Sequence, residues 1–264
     1  MQVGFLGSLY VTGQRGVVQI RAPQQRTLLV SLAVQAGGAV SMDTLAEAIW
    51  ASQPPRSWQE TLRNLVRRLR ATLGPDSGRI VTSYAGYLLD VSPGDVDMLE
   101  FEARHQSGMA AARSGDWQPA ADTLTAAMAL WRGTPFTDVP SALLRDAHLP
   151  YLEDQLIDVQ QTRIEAAMRL AAGSPCGMVP GLRQLVARYP AHERFRWLLM
   201  IALIRSGRKA EALASYRDAW EFSSAELGVE PGRALKDLNQ RILAGDESLA
   251  DTLVAEHTRT LARW

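Results

Sequence analysis

Residues 54–74, PPRSWQETLRNLVRRLRATLG, contain the most completely specified helix in the chain. Ser57 and Glu60 match the S-x-x-E capping box, in which the two side chains satisfy backbone N–H groups at the start of a helix. Leucine and valine then recur every three or four residues from Leu62 to Leu73, which predicts one apolar face. The Gly-Pro pair that follows is typical of a helix end. The stretch therefore predicts one well-bounded amphipathic helix.

The residues around this helix predict a winged helix-turn-helix. Two shorter helices precede it, one beginning at Pro23 and one capped by Ser41. Two strand-like runs follow at 79–82 and 87–91, joined by turn residues, and they predict a β-hairpin. Residues 1–20 alternate in polarity around glycine turns, which predicts a short antiparallel sheet. The order is strands, three helices and a hairpin, so the hairpin is the expected wing.

Beyond residue 95 the strand signals vanish and only helical periodicity remains. Pro119, Pro150, Pro180 and Pro231 stand where helices are expected to begin, since proline fits the first helical turn. The predicted helices span about 97–113, 117–131, 151–172, 180–189, 192–206, 208–227 and 231–244.

A weak internal repeat lies within the helical half. The sequence RSG occurs at 113–115 and again at 205–207, and in both copies an alanine stands five residues before the glycine and five residues after it. Small residues at these positions let two helices cross closely, as in tetratricopeptide hairpins. Other alanine-rich helical hairpins share this spacing.

The predicted fold class is mainly α with a small β component. An N-terminal winged helix-turn-helix domain, residues 1–95, is followed by an all-α, tetratricopeptide-like helical repeat domain, residues 96–245. Residues 246–264 are predicted to form a C-terminal helical tail.

The charge of the chain is unevenly distributed. The whole sequence has 28 basic and 28 acidic residues, which argues against a protein that coats nucleic acid with its entire surface. Residues 1–95 nevertheless hold 9 arginines against 6 acidic residues, whereas the remainder holds 19 basic against 22 acidic residues. The positive excess is greatest between Arg56 and Arg79, where six arginines face two acids.

The polar face of the third helix is a candidate DNA-recognition surface. It carries Arg63, Asn64, Arg67, Arg68 and Arg70. Arginine can donate two hydrogen bonds to guanine or pair with phosphates, and asparagine can pair with adenine, so this set suits a helix in the major groove. The alternative is a solvated amphipathic helix whose arginines pair with nearby acids. The preceding helix and the following hairpin favour DNA binding.

Six further residues complete the candidate site. They are Arg56, Ser57 and Thr61 at the N-terminal end of the helix and Ser83, Tyr84 and Tyr87 in the hairpin. The first three are expected to contact phosphates, aided by the helix dipole, although Ser57 could serve only as a cap. Ser83 and Tyr84 are expected to reach phosphates or the minor groove, whereas Tyr87 could equally pack in the core.

The sequence gives no sign of catalysis. Cys176 is the single cysteine, which excludes an intramolecular disulfide, and the histidines have no metal-ligand spacing: His105, His148, His192 and His257. A glycine-rich phosphate loop is also missing. We therefore expect no catalytic residue, no metal, no cofactor and no enzymatic activity. Without an 18-residue apolar run, the chain is predicted to lie in the cytoplasm, associated with the nucleoid, and to make no membrane contact.

Six stretches together resemble the SARP family, the Streptomyces antibiotic regulatory proteins. They are PQQRTLLVSLAVQAGGAVSMDTLAEAIW (23–50), PPRSWQETLRNLVRRLRATLG (54–74), GYLLDV (86–91), ALWRGTPFTDV (129–139), RSGRKAEALASYRDAW (205–220) and ELGVEPGRALKDLNQRIL (226–243). The resemblance covers about residues 2–245. Members of this family join an OmpR-type winged helix, as in two-component response regulators, to a bacterial transcriptional activation domain.

The resemblance implies a sequence-specific transcriptional activator of a secondary-metabolite (antibiotic) gene cluster. It further implies double-stranded promoter DNA with tandem direct repeats near the −35 region, two protomers side by side on the DNA, and contact with the sigma or alpha subunits of RNA polymerase. No receiver domain is expected before the winged helix. Two alternatives stay open: a helical-repeat adaptor, and a regulator that senses a small molecule.

Overall fold

The computed structural model describes residues 1–170, 176–246 and 249. The strands are β1 Gln2–Gly4, β2 Tyr10–Gly13, β3 Gly16–Val17, β4 Ile80–Ser83 and β5 Gly86–Leu89. The helices are α1 Pro23–Ala33, α2 Met42–Trp50, α3 Trp58–Leu73, α4 Asp97–Ser114, α5 Trp117–Met128, α6 Ala142–Leu170, α7 Val179–Arg188, α8 Glu193–Arg205, α9 Lys209–Phe222 and α10 Arg233–Leu243. The prediction of a mainly helical chain with a small β component is confirmed.

The chain forms two compact units. The first contains Met1–Ser107 and Thr123–Val159, and the second contains Gly108–Asp122 and the described residues from 160 onward. Each unit has its own apolar core. The first core joins Phe5 and other winged-helix residues to Phe136, which lies beyond residue 95. The packing is therefore not divided at residue 95, and the boundary there stays a prediction about sequence modules.

The winged helix-turn-helix follows the predicted order of elements. Strands β1, β2 and β3 form an antiparallel sheet, and β4 pairs with β5 as a hairpin in which Ser83 lies opposite Gly86. Helix α3 buries the whole predicted apolar stripe: Leu62, Leu65, Val66, Leu69 and Leu73. Burial of these side chains against α1 and α2 fixes which face of α3 points outward.

Backbone bonds tie the hairpin to the turn between α1 and α2. The N–H of Val40 donates to the Tyr87 carbonyl oxygen at 2.7 Å, and the N–H of Tyr87 donates back to the Val40 carbonyl oxygen at 3.0 Å. Gly86 has a φ of +140°, and a Cβ atom there would overlap the Val40 carbonyl oxygen. Glycine is therefore required for this close approach.

We expect Gly86→Ala to destabilise the winged helix by about 3 kcal/mol, since it combines a strained backbone with a steric overlap. Urea unfolding followed by circular dichroism measures this cost. Gly78→Ala is the matched control, because a Cβ atom at Gly78 meets no atom within 4 Å. Equal stability of the two variants would contradict the close approach of β5 to Val40.

A buried carboxylate anchors the N-terminal sheet within the first unit. Asp97 accepts hydrogen bonds from the N–H groups of Phe5 and Leu6, both at 2.9 Å. The Arg132 guanidinium donates to the same carboxylate at 2.9 Å and lies 4.3 Å from the centre of the Tyr10 ring. Burial, together with the nearby Asp97 charge, raises the pKa of Tyr10, whereas the Arg132 charge acts in the opposite direction.

The segment that follows α5 continues this link. The N–H of Arg132 donates to the Leu6 carbonyl oxygen, and the N–H of Phe136 donates to that of Phe5. The rings of Phe5 and Phe136 stack with their centres 5.2 Å apart. The sequence ALWRGTPFTDV, residues 129–139, thus includes a stretch that packs directly on the β1–β2 connection.

The predicted capping box of α3 is wrong. The Ser57 side chain makes no capping bond, and its backbone has ψ +41° instead of the extended conformation that places a cap hydroxyl over the helix end. Ser41 does cap α2, because its hydroxyl accepts a hydrogen bond from the Thr44 N–H at 3.0 Å.

We expect Ser41→Ala to cost about 1 kcal/mol of unfolding free energy, because it removes a working N-cap. Ser57→Ala should change the unfolding free energy by less than about 0.5 kcal/mol, as is usual for an exposed side chain. Thermal and urea unfolding of the two variants compare these costs. A larger cost for Ser57→Ala would show that its hydroxyl caps α3 after all.

The second unit is built from helical hairpins. Successive helices α7 to α10 pack on their neighbours, and Ala202 on α8 and Ala212 on α9 are both fully buried. Gly207 makes the turn between these helices with a φ of +73°. The small residues of the second copy of the predicted repeat therefore lie where two helices approach closely, whereas Ala110 of the first copy is exposed.

Pro150 does not begin a helix, because α6 starts at Ala142 and continues through it; a proline inside a helix removes one N–H donor from the backbone hydrogen bonds. The helical tail predicted at 246–264 lies outside the described residues except for residues 246 and 249. Within the described ranges, no helix has both the length and the apolar character needed to cross a bilayer.

Candidate nucleic-acid interface

The outward face of α3 carries a row of exposed arginine side chains. Arg63, Asn64, Arg67 and Arg68 are all exposed. Among the described residues, no carboxylate forms an ion pair with any of these three arginines. The alternative of a solvated helix whose arginines pair with Glu60 therefore has no support in the geometry. The face keeps three guanidinium groups and one amide available to an external partner.

The N-terminal end of α3 adds a fourth cation. Arg56 and Ser57 are exposed in the segment that leads into the helix, and Thr61 is half-buried in its first turn. The Thr61 hydroxyl donates to the Ser57 carbonyl oxygen at 3.0 Å, so its proton is used within the helix. Arg56 thus lies close to the positive end of the helix dipole, where an anion is favoured.

The tip of the hairpin is the other exposed part of the predicted site. Tyr84 is fully exposed, and the neighbouring Ser83 hydroxyl accepts a bond from the Ala85 N–H at 3.3 Å. Tyr87 differs, because it is only 7% exposed and belongs to the first core. Of its two predicted roles, the structure supports packing in the core, and Tyr87 is removed from the candidate DNA-binding residues.

Arg70 points toward the hairpin. Its Nε and Nη2 atoms donate to the Ile80 carbonyl oxygen at 3.1 and 2.7 Å, and Nη2 also donates to the Thr82 hydroxyl at 2.9 Å. The side chain is half-buried, unlike its neighbours on the outward face. Arg70 therefore makes internal contacts and does not belong to the outward-facing residues of α3, where the sequence had placed it.

Sequence reasoning missed Thr82 and Val40, which join the hairpin to the helices. The Thr82 hydroxyl on β4 accepts a hydrogen bond from Arg70. The backbone N–H and carbonyl groups of Val40 form hydrogen bonds with Tyr87 on β5. Because side chains alternate along a strand, Thr82 lies on the same face of β4 as Ile80. This alternation is only a weak sequence signal for the contact with Arg70. The Val40 contact uses backbone atoms alone, so no side-chain pattern reveals it.

Family comparisons match both halves of the chain. Residues 19–89 match the family model described as transcriptional regulatory protein, C terminal, and residues 96–243 match the bacterial transcriptional activator domain. The second match alone covers more than half of the chain.

Individual proteins are similar over nearly the whole chain. Regulatory protein DnrI of Streptomyces peucetius is 33% identical over 258 residues, which is 94% of each chain. Transcriptional regulator RedD of Streptomyces coelicolor is 35% identical and is covered over 72% of its length. The solved structure of Mycobacterium tuberculosis EmbR in complex with a low-affinity phosphopeptide is 27% identical, with a TM-score of 0.84 over 99% of this chain and 70% of that one.

Proposed function

Because this chain belongs to the SARP family of transcriptional regulators, we propose that it binds promoter DNA through α3 and the tip of the β4–β5 hairpin. The observation that supports this proposal is the row of exposed arginines on α3, with which no carboxylate in the described part of the chain forms an ion pair. Exposed guanidinium groups in a row attract a polyanion. Hydrogen bonds to phosphates and guanine edges offset the free energy that these groups lose when water is removed from them.

The two parts of the surface would act in different grooves. Helix α3 would lie in the major groove, with Arg67 and Arg68 donating to guanine or phosphate and Asn64 pairing with adenine. Arg56 and Ser57 would meet the phosphate backbone at the helix N-terminus, and Thr61 would join them by turning its hydroxyl proton away from the Ser57 carbonyl oxygen. The exposed ring of Tyr84 would approach the adjacent minor groove, where Ser83 would donate to a phosphate.

The finer biological role is also part of the proposal. The protein would activate an antibiotic or other secondary-metabolite gene cluster from tandem direct repeats near the −35 region, with two protomers side by side. Its helical repeats would contact the sigma or alpha subunits of RNA polymerase. It would act in the cytoplasm, at the nucleoid, by binding and without catalysis. The names of DnrI and RedD as regulators support the general role.

The salt dependence of DNA binding tests this function. Fluorescence anisotropy would follow the full chain on duplexes taken from the promoters that flank its own gene. If about four phosphates are neutralised, raising the salt about fourfold should weaken binding by about a hundredfold. An unrelated duplex of equal length is the control. Absence of salt-dependent affinity on every flanking promoter would contradict DNA binding and favour an adaptor.

A further inference from the structure

The Arg70 side chain bridges the second half of α3 and the first strand of the hairpin. Three hydrogen bonds of 2.7–3.1 Å join its guanidinium to the Ile80 carbonyl oxygen and the Thr82 hydroxyl. Arg67 and Arg68, one turn or less away, point outward and make no ion pair among the described residues. Arg70 is thus set apart from the other arginines of α3 by its partners.

The contact has a geometric consequence for the hairpin. Its second strand, β5, is fixed by the reciprocal backbone bonds between Tyr87 and Val40. Its first strand, β4, is joined to α3 through the Arg70 guanidinium. A planar guanidinium with donors at fixed angles restrains both distance and orientation, which a flexible ammonium cannot do. The two attachments together hold the hairpin at a fixed position relative to the outward face of α3.

The tip of the hairpin depends on both attachments. Tyr84 lies immediately after β4 and its side chain is fully exposed, so the position of its ring follows the position of the hairpin backbone. A tip that is free to move loses conformational entropy when it binds DNA, and this loss weakens binding. A tip that is already restrained by folding loses less entropy on binding.

Resting on the proposed function, we propose that Arg70 is a positioning residue: it holds the hairpin against α3 so that Tyr84 reaches the DNA while α3 occupies the major groove. Arg70 is then not a DNA contact. Its effect on affinity passes through the hairpin tip, which carries no charge.

A double-mutant cycle separates this role from direct contact. Arg70→Ala and Tyr84→Ala should each weaken promoter binding, by about tenfold or about 1.4 kcal/mol, and the loss in the double variant should stay well below the product of the two single losses. Residues that act independently have additive effects. An additive loss of about a hundredfold in the double variant would overturn the proposal, as would unchanged binding by Arg70→Ala.

The salt slope provides a second readout. Loss of a phosphate contact lowers the slope of log affinity against log salt by about 0.9. The slope of Arg70→Ala should therefore equal that of the wild type. Arg68→Ala is the charge-matched control, and its slope should be lower if Arg68 contacts a phosphate. A lowered slope in Arg70→Ala would identify a direct phosphate contact and overturn the positioning role.

Arg70→Lys keeps the test decisive if the alanine variant unfolds. Lysine retains the charge but not the fork that joins Ile80 to Thr82, so we expect weaker binding with an unchanged salt slope. Wild-type affinity in Arg70→Lys would point to a simple charge contact and overturn the proposal. Failure of the wild-type chain itself to bind any promoter duplex would instead overturn the proposed function.

Discussion

Replacing Asp97 by alanine should lower the free energy of unfolding of the first compact unit by about 3 kcal/mol, because two buried backbone N–H groups lose their acceptor at a cost of about 1–3 kcal/mol each. The Asp97 side chain is only 2% exposed. Its loss leaves the N–H groups of Phe5 and Leu6 without their acceptors and the Arg132 guanidinium without its counterion. A buried donor without a partner is costly in itself.

Urea unfolding of the full chain measures this loss, with Asp90→Ala as the control. Asp90 is an exposed carboxylate in the same unit, and its removal should change stability by less than about 0.5 kcal/mol. Asp97→Asn should also destabilise the unit, because an amide nitrogen cannot accept the hydrogen bonds that the carboxylate oxygen accepted. A loss below about 1 kcal/mol in Asp97→Ala would contradict the anchoring role.

The same contacts decide how DNA binding should be tested. A fragment that ends at residue 95 lacks Asp97, Arg132 and Phe136, and so exposes the buried ring of Phe5. If such a fragment failed to bind DNA, the result would not distinguish unfolding of the fragment from loss of a DNA-binding interface. Point variants in the full chain avoid this ambiguity.

The second large effect concerns the outward face of α3. Arg67→Ala and Arg68→Ala should each reduce promoter affinity by about 5- to 150-fold, which corresponds to about 1–3 kcal/mol for a specific base contact. Both side chains are exposed, so the unfolding free energy should be unchanged. Gel-shift titrations on the same promoter duplex give the affinities.

Arg233→Ala is the matched control for these variants. The Arg233 side chain is 93% exposed on α10 and lies in the second unit. Its removal takes the same charge from the chain but should leave promoter affinity within about twofold of the wild type, because Arg233 is not part of the proposed DNA-binding surface. Wild-type affinity in both α3 variants would show that this face does not read DNA.

Local patterns were sufficient to predict the main elements of the first unit. The apolar stripe of α3 is strictly periodic from Leu62 to Leu73, and every stripe residue is buried. The β4–β5 hairpin is bounded by turn residues, and its strands lie within two residues of the prediction. Where side chains follow the period of one element, sequence alone assigns the buried face and hence the outward arginines.

The remaining features depend on contacts between distant parts of the chain. The bonds of Asp97 to Phe5 and Leu6 span more than 90 residues, and no local pattern marks them. The inward turn of Arg70 depends on where β4 lies, although helical periodicity alone places it beside the outward arginines. Ser57 has the residue type of a cap but not the backbone conformation, and the residue type alone does not reveal that conformation.

The central claim is that α3 and the hairpin tip read a specific promoter sequence, and hydroxyl-radical footprinting tests it most directly. The wild-type chain would be footprinted on the promoters that flank its own gene, beside Arg67→Ala at the same concentration. We predict that the wild type protects two adjacent copies of a direct repeat near the −35 region and that the variant does not. Uniform cleavage with folded wild-type protein, or identical protection by the variant, would contradict the claim.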